Sequence, residues 1–594
     1  MICILFVKYL CGCKNGGVKV DDNAEVKKKP KLSNNKKRKI ERLANDAKLA
    51  FNNGDLVLAE ACCQKILQID ADNGDAYLVM GSIVERMGDL QRAKSLFEYG
   101  LQKKTGHRML LAKCGEINCK LQQFVNAEQF WNHYTTLYPG DVAGWHSLSG
   151  TMIALQRWES AIPAAKEAVR LAPKRAELHK NLGVALYMGN HEDEAEEAYG
   201  NAVMLAPQCV DSRCDLAKIL MERGEMDEAR EHFHKLIELD PKHAIAYHSL
   251  MRFWQVKEYD DLIKGAEALC ESAELSSEAR IMLSFGLGKA WEDLKDYDKS
   301  FGYYELGNKL YREGISYDVE DDRRDVEEIK QLFTREMLDE RCSGRNDGAG
   351  LIFIVGMPRS GSTLLDRIIS AHPKVIDTGE HDFFRKAAGV LSSDNSGRMN
   401  LIKLIEQSDE AITAAAKSHI ENIRRNFGAA EYYTDKALPN IWLIGAIRLI
   451  LPGAKIIHCS RNPLDNCLSI FAHNFEGTLF KYGYDLRELG AYYRVYLDMI
   501  NHWQKVLPSD AYYNISYEAL VADPEEQTRR IIAFSGLEWD DNCLSFYKQN
   551  SRVRSASLAQ VRQPINKASV ERWKRFEQQL QPLVDALGEA VEHS

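Results

Sequence analysis

Gly356 and Gly361, with four residues between them, bound a loop between the apolar run Leu351–Val355 and a helical pattern that opens at Ser362. Backbone N–H groups of such a loop, together with the positive end of the following helix, make an anion site. The spacing is that of a phosphate-binding P-loop, but Ser362 stands where the nucleotide-hydrolysing motif carries lysine. The cation inside the loop is Arg359. A second strand–loop–helix unit follows at 454–469, where the apolar run ends in Ser460-Arg461, Asn462 is placed as N-cap and Pro463 as first helical residue. Arg461 at the strand end and Ser469 two turns into the helix can converge on one anion. Two separated phosphate-type sites in one domain suit a nucleoside phosphorylated at both ends. A kinase or NTPase would instead need the loop lysine and a magnesium-holding aspartate after a strand. Asp377 is the candidate for the latter and is poorly placed for it.

These loops need a domain in which strands alternate with helices, and residues 351–594 have that pattern. The preceding half differs. Ala59, Ala93, Ala127, Ala161, Ala195 and Ala229 recur every 34 residues, and Ala47, Gly81, Gly115, Ser149, Gly183 and Ala217 form a second small-residue register. Pro173, Pro207 and Pro241 close successive units. Small residues let paired helices approach closely, and proline stops the second helix. The pattern resembles the tetratricopeptide repeat. It gives about eight units over residues 40–311, strong to 243, degenerate over 244–277 where Met251 and Ile263 occupy the small positions, and regained over 278–311. The expected organisation is therefore a disordered basic arm (1–39), an all-α solenoid (40–311), a connecting helix and linker (312–350), and a P-loop-like α/β domain with a mostly parallel sheet (351–594). By its resemblance the array implies a peptide or protein segment on its concave face, or self-association as a homodimer.

At 594 residues the chain exceeds one core. A net charge of −9 gives no basic footprint for nucleic acid. None of the fourteen cysteines sits in a Cys-x-x-Cys pair and no metal-ligand spacing is present, so reduced, buried thiols are expected. The apolar opening Met1–Cys13 is shorter than the roughly 20 residues that span a bilayer. No firm membrane association is expected, and the cytoplasm is the expected compartment.

Residues 350–580 resemble the sulfotransferases that use 3′-phosphoadenylyl sulfate, in their tyrosylprotein and heparan-type branch. The motifs are Gly356–Thr363, His372-Pro373, Gly379-Glu380, Thr434-Asp-Lys436, Arg461 with Ser469, Tyr517-Glu518 with Asp523-Pro524, and Gln560-Val-Arg-Gln-Pro564 up to Arg572-Trp573. The resemblance implies that Arg359 with Ser360, Gly361, Ser362 and Thr363 grips the 5′ phosphosulfate, and that Arg461 and Ser469 fix the 3′-phosphate. It makes Glu380 the general base toward the acceptor hydroxyl. Lys436, with Ser557, steadies charge on the leaving phosphate oxygen. Tyr517 lines the nucleotide pocket, while Arg562 and Arg572 lie in a segment that closes over the donor; Arg572 stands where the tyrosylprotein branch carries lysine. The donor is the 3′-phosphoadenylyl sulfate and no metal is implied. The acceptor stays open among a peptide tyrosine, a sugar and a small molecule, and a repeat scaffold with a retired nucleotide domain is the alternative of another class. His381 is a rival base that an adjacent turn position points elsewhere. His473 and the run Tyr482, Tyr484, Tyr492, Tyr493 and Tyr496 read as core with polar handles.

Overall fold

The computed structural model describes residues 33–392, 401–475, 480–548 and 562–591. The chain divides into two compact units, 1–220 and 221–594.

The first unit is a run of helical hairpins, beginning with Asn34–Asn52 and Leu56–Ile69, then Gly74–Arg86 and Leu90–Lys103. Three more follow, ending with Ala176–Met188 and Glu192–Leu205. Glycines of the second small register meet an aromatic residue sixteen positions on. A Cβ at Gly81 would lie 2.3 Å from the Phe97 ring, and one at Gly115 would lie 2.4 Å from Trp131. Glycine is needed there because the ring fills the space where its side chain would be. Pro173 and Pro207 follow the helices Trp158–Leu171 and Glu192–Leu205, as the sequence pattern requires. One expectation is corrected: residues 34–39 belong to a helix rather than to a disordered arm. Ser33 caps that helix by accepting from the Lys36 amide, and a capped start lets the basic residues extend the helix outward.

The second unit begins with the helix Met226–Leu239, and the degenerate stretch still pairs as Ala244–Phe253 with Asp261–Glu271. The hairpin Ser277–Asp293/Tyr297–Arg312 follows. Its small–aromatic contact is Gly288 against Tyr304, three residues out of the 34-residue register, while Gly286 instead faces Met251. Residues expected as connecting helix and linker form the helices Val319–Leu332 and Arg335–Cys342, whose Val326, Ile329, Phe333 and Leu338 are buried.

Five strands form one parallel sheet: β1 (Leu351–Gly356), β2 (Val375–Asp377), β3 (Tyr432–Asp435), β4 (Lys455–Ser460) and β5 (Tyr512–Ser516), in the order β2-β3-β1-β4-β5. β1 is buried along its whole length, as expected for a central strand covered on both faces. The repeat hairpin and the α/β domain share one apolar core, in which Phe285, Phe301 and Tyr304 cluster with Phe353, Ile456 and Leu468. No helix of the described residues is long and apolar enough to cross a membrane.

Candidate active site

In a parallel sheet every strand ends on the same edge, and that edge carries the site residues. The glycine loop follows β1, Gly379-Glu380 follows β2, Lys436 follows β3, Arg461 follows β4 and Tyr517 follows β5. The connections after β1 and β4 leave to opposite sides, which makes the crevice between them the topological switch point where α/β sheets bind ligands.

The loop is shaped by two backbone constraints. Arg359 has φ +65° and Gly361 φ +105°, both in the left-handed region that Gly361 adopts without cost. A Cβ on Gly361 would also lie 2.7 Å from the Tyr517 ring. The helix Ser362–Ser370 starts there with no side chain capping its first turn, so its amide groups face the loop. Neighbouring strands lie about 4.7–4.9 Å apart, and this draws the β1 and β4 loops together. Arg461 donates from Nη1 to the Arg359 carbonyl at 3.1 Å, and Arg359 donates from Nε to Ser469 Oγ at 3.3 Å. The residues expected from the sequence to form two separated phosphate sites thus touch one another directly. Asn466 donates to the Pro358 carbonyl at 2.8 Å and Tyr493 to the Arg461 carbonyl at 3.2 Å, fixing both loops. Asn462 accepts from the amides of Leu464 and Asp465, so it is the expected N-cap, with Pro463 at the first helical position.

Above this edge lies a cavity of about 340 Å³, lined on one side by Arg359, Gly361, Arg461, Ser469 and Tyr517. Arg461 sits over the Tyr517 ring at 5.0 Å. The residues 568–575 close another side. Asp465 accepts from the Glu571 amide at 2.6 Å and the Trp573 amide at 2.9 Å, which pins this segment beside Arg461. The opposite wall comes from repeat helices: Arg252, Lys289, Glu292, Asp293 and Tyr304. Around the cavity, cationic Arg252, Lys289, Arg359, Arg461, Arg572 and Arg575 face acidic Glu292 and Asp293. Burial and the positive charges of Arg252, Arg461 and Arg572 lower Arg359 to about 9. Burial likewise pulls Arg461 below its usual range. Among the described residues, Ser360 Oγ and Arg461 Nε are buried without a hydrogen-bond partner. An enclosed site with excess positive charge and unspent donors is complementary to a polyanion.

Glu380 and Lys436 lie on the β2–β3 side of the loop, and neither lines this cavity. They form an ion pair with each other, Lys436 buried and Glu380 exposed. The Lys436 amide donates to the Gly379 carbonyl at 3.1 Å, holding the two loops together. His381 binds Thr378 Oγ1 through Nε2 at 2.8 Å, and burial lowers it to about 4, so it is a neutral structural histidine. Ser360 and Ser362 are buried; Thr363 is half-buried. Ser557 lies outside the described residues.

Two expectations change. Arg562 does not line the cavity: it packs against Gly224 and donates to the Glu222 carbonyl, because its stretch of chain runs beside that turn. Arg572 does line it, but as a bidentate partner of Glu292, at 2.6 Å and 2.5 Å. Burial opposes its charge, and Glu292 still holds it above the usual arginine range. The repeat-borne wall was not foreseen; Arg252 lies in the stretch where the repeat pattern fails. The tyrosine run is core as expected, with Tyr482 stacked on Tyr492 at 3.5 Å and Tyr496 hydrogen-bonded to His458.

Residues 352–541 match the Sulfotransferase family, and residues 153–208 and 192–252 match the Tetratricopeptide repeat. An uncharacterized protein of Aquifex aeolicus (strain VF5) is 32% identical over 342 residues, covering 56% of this chain and 44% of that protein. Protein-tyrosine sulfotransferase 2 of Gallus gallus is 24% identical over 245 residues, covering 38% and 62% respectively. Protein-tyrosine sulfotransferase of Drosophila melanogaster is 25% identical over 251 residues, covering 39% and 49%. The chain thus spans 44–62% of the length of these relatives. Among solved structures, YrrB, a TPR protein with an unusual peptide-binding site, aligns at 16% identity over 32% of this chain and 96% of its own, with a TM-score of 0.30. The chain is thus similar to the sulfotransferase family over residues 352–541, and to the tetratricopeptide repeat over residues 153–252 ahead of them.

Proposed function

We propose that this protein transfers a sulfuryl group from 3′-phosphoadenylyl sulfate to an acceptor hydroxyl, with a peptide tyrosine as the first acceptor to test. The observation that carries the reading is the arginine-lined cavity over the glycine loop at the β1/β4 switch point. The donor has an anionic group at each end of an adenosine: a 3′-phosphate monoester of about 1.5–2 negative charges, and a 5′ phosphosulfate with a negative charge on phosphate and another on sulfate. Ser360 Oγ and Arg461 Nε, buried and unpartnered among the described residues, offer donors that such oxygens would use.

In this reading the loop amides and Arg359 hold the 5′ phosphosulfate, and Arg461 with Ser469 holds the 3′-phosphate. The acceptor oxygen attacks sulfur in line; the O–S bond forms as the bond from sulfur to the phosphate oxygen breaks. Glu380 takes the hydroxyl proton, and adenosine 3′,5′-bisphosphate leaves. Lys436 pairs with Glu380 and holds its carboxylate in place beside the loop. It also stands on the β1 side of Glu380, where it can steady charge growing on the leaving oxygen. A positioned base typically contributes about 10²- to 10⁴-fold. The repeats suit a protein or peptide partner, which fits a protein acceptor. The similarity to the Gallus and Drosophila protein-tyrosine sulfotransferases favours tyrosine over a sugar or a small molecule.

The test is transfer of labelled sulfate from the donor to cell lysate and to tyrosine-containing peptides, with protein, glycan and small-molecule fractions separated. Label in protein, stable to base as an aryl sulfate is, supports the reading. Label confined to glycans or small molecules reassigns the acceptor. No donor-dependent label, with no bisphosphate binding, refutes sulfuryl transfer.

A further inference from the structure

We propose that Arg252, carried by a repeat hairpin, binds the anionic donor together with Arg359, so that the last repeats complete the wall of the donor site; this rests on the sulfotransferase reading above. Arg252 sits near the end of the helix Ala244–Phe253 and lines the cavity opposite the glycine loop. Its Nη2 contacts His473 Nδ1 at 2.5 Å. Burial and the facing charge of Arg252 hold His473 well below the usual histidine range. The neutral ring therefore accepts from the guanidinium and orients it without cancelling its charge. His473 comes two residues after the helix Pro463–Phe471, whose Ser469 accepts from Arg359. One short segment thus positions both arginines.

Among the described residues, no carboxylate lies within ion-pair distance of Arg252. The nearby Glu292 is engaged bidentately by Arg572 and reaches Arg575 at 3.6 Å. Lys289 is tied to the Trp254 carbonyl at 2.8 Å and to Asp293, which fixes the turn just after Arg252. After burial, Arg252 is the strongest influence lowering Arg359. Two like charges held face to face across a cavity repel each other, and an anion between them removes that penalty.

The hairpins that carry this wall are joined firmly to the catalytic domain. Asn308 donates to the Phe471 carbonyl at 2.7 Å, Phe301 stacks on Phe471 at 5.6 Å, and Arg312 makes a bidentate pair with Glu488. The wall is therefore tied directly to the domain that carries the loop, and residues 351–594 alone would lack it.

The test is calorimetric titration of the full-length chain, wild type, Arg252→Ala and Arg252→Lys, with adenosine 3′,5′-bisphosphate. Arg252→Ala should weaken binding by about 10- to 150-fold, the span expected for a charge-assisted hydrogen bond. Arg252→Lys should recover part of it, since lysine keeps the charge and loses the fork. Wild-type binding with Arg252→Ala within twofold overturns the inference and leaves the sulfotransferase reading standing. Failure of the wild type to bind overturns that reading and the inference with it. Should Arg252→Ala fail to fold, Arg252→Lys decides alone: a loss supports the inference and an unchanged affinity overturns it.

Discussion

Arg461 donates to the main-chain oxygen of Arg359 across 3.1 Å, so the arginine that ends β4 braces the arginine inside the β1 loop. The bond carries no net charge pairing, because a carbonyl accepts it, and both guanidinium groups keep their positive charge for a ligand. Arg461→Lys should therefore cost about 10- to 150-fold in affinity for adenosine 3′,5′-bisphosphate, from loss of a charge-assisted hydrogen bond worth about 1.5–3 kcal/mol. Affinity for adenosine 5′-phosphate, which lacks the 3′ group, should fall far less. Equal losses for the two ligands would show that Arg461 acts through the loop and not on the 3′-phosphate.

Glu380 is exposed and paired to buried Lys436, whereas the carboxylates that line the donor cavity, Glu292 and Asp293, are engaged by Arg572 and Lys289. Glu380→Gln preserves shape and hydrogen bonding while removing the proton acceptor. Turnover should fall by about 10²- to 10⁴-fold, with bisphosphate affinity within about twofold of wild type. Single-turnover sulfate transfer and titration on the same preparation separate the two. A fall in affinity that matches the fall in rate would make Glu380 a structural residue.

Glu292 belongs to the repeat hairpin and neutralises Arg572 of the C-terminal segment through two hydrogen bonds. Removing one partner of a largely buried pair leaves an uncompensated charge, typically costing about 3–5 kcal/mol. Glu292→Gln should lower the urea midpoint of the second unit accordingly. An unchanged midpoint would mean that Arg572 finds another partner.

Asp435 is buried, and burial raises its carboxyl from the ordinary carboxylate range to about 7, against hydrogen bonds from the Ala437 amide and Asn440 that favour the anion. Its folded-state value lies above its unfolded one, so between about pH 4 and 7 the folded state binds more protons. This contribution to stability is present at low pH and is lost as pH rises through that window. Asp435→Asn can keep both accepted hydrogen bonds. Its melting temperature should exceed that of wild type by a margin that grows from pH 4 to 7 and then levels off. Parallel profiles for the two proteins would contradict the raised value.

The parts of this architecture that were legible in the sequence are those encoded locally. The glycine loop, Arg461 and Ser469 each sit within one strand–loop–helix segment, and the 34-residue period repeats a contact between helices of one hairpin. Arg252 was not legible, because its hairpin has lost the small-residue register and its partner His473 lies 221 residues away. The last hairpin keeps the contact but shifts it by three residues to Gly288 and Tyr304, whereas the 34-residue spacing places it at Phe285. Arg562 was assigned by resemblance to the donor site. Its actual neighbours, Glu222 and Gly224, belong to a distant turn that no local pattern connects to it. That Arg359 and Arg461 share one cavity follows from strand order, since β4 pairs directly with β1 across two intervening strands of sequence.

The most direct measurement is the affinity of the full-length protein for adenosine 3′,5′-bisphosphate beside ATP with magnesium, at one fixed salt concentration. The arginine cavity at the sheet edge predicts tight, saturable binding of the bisphosphate and at least tenfold weaker binding of ATP. Tighter binding of ATP, or binding of neither, would contradict the donor site on which the whole mechanism depends.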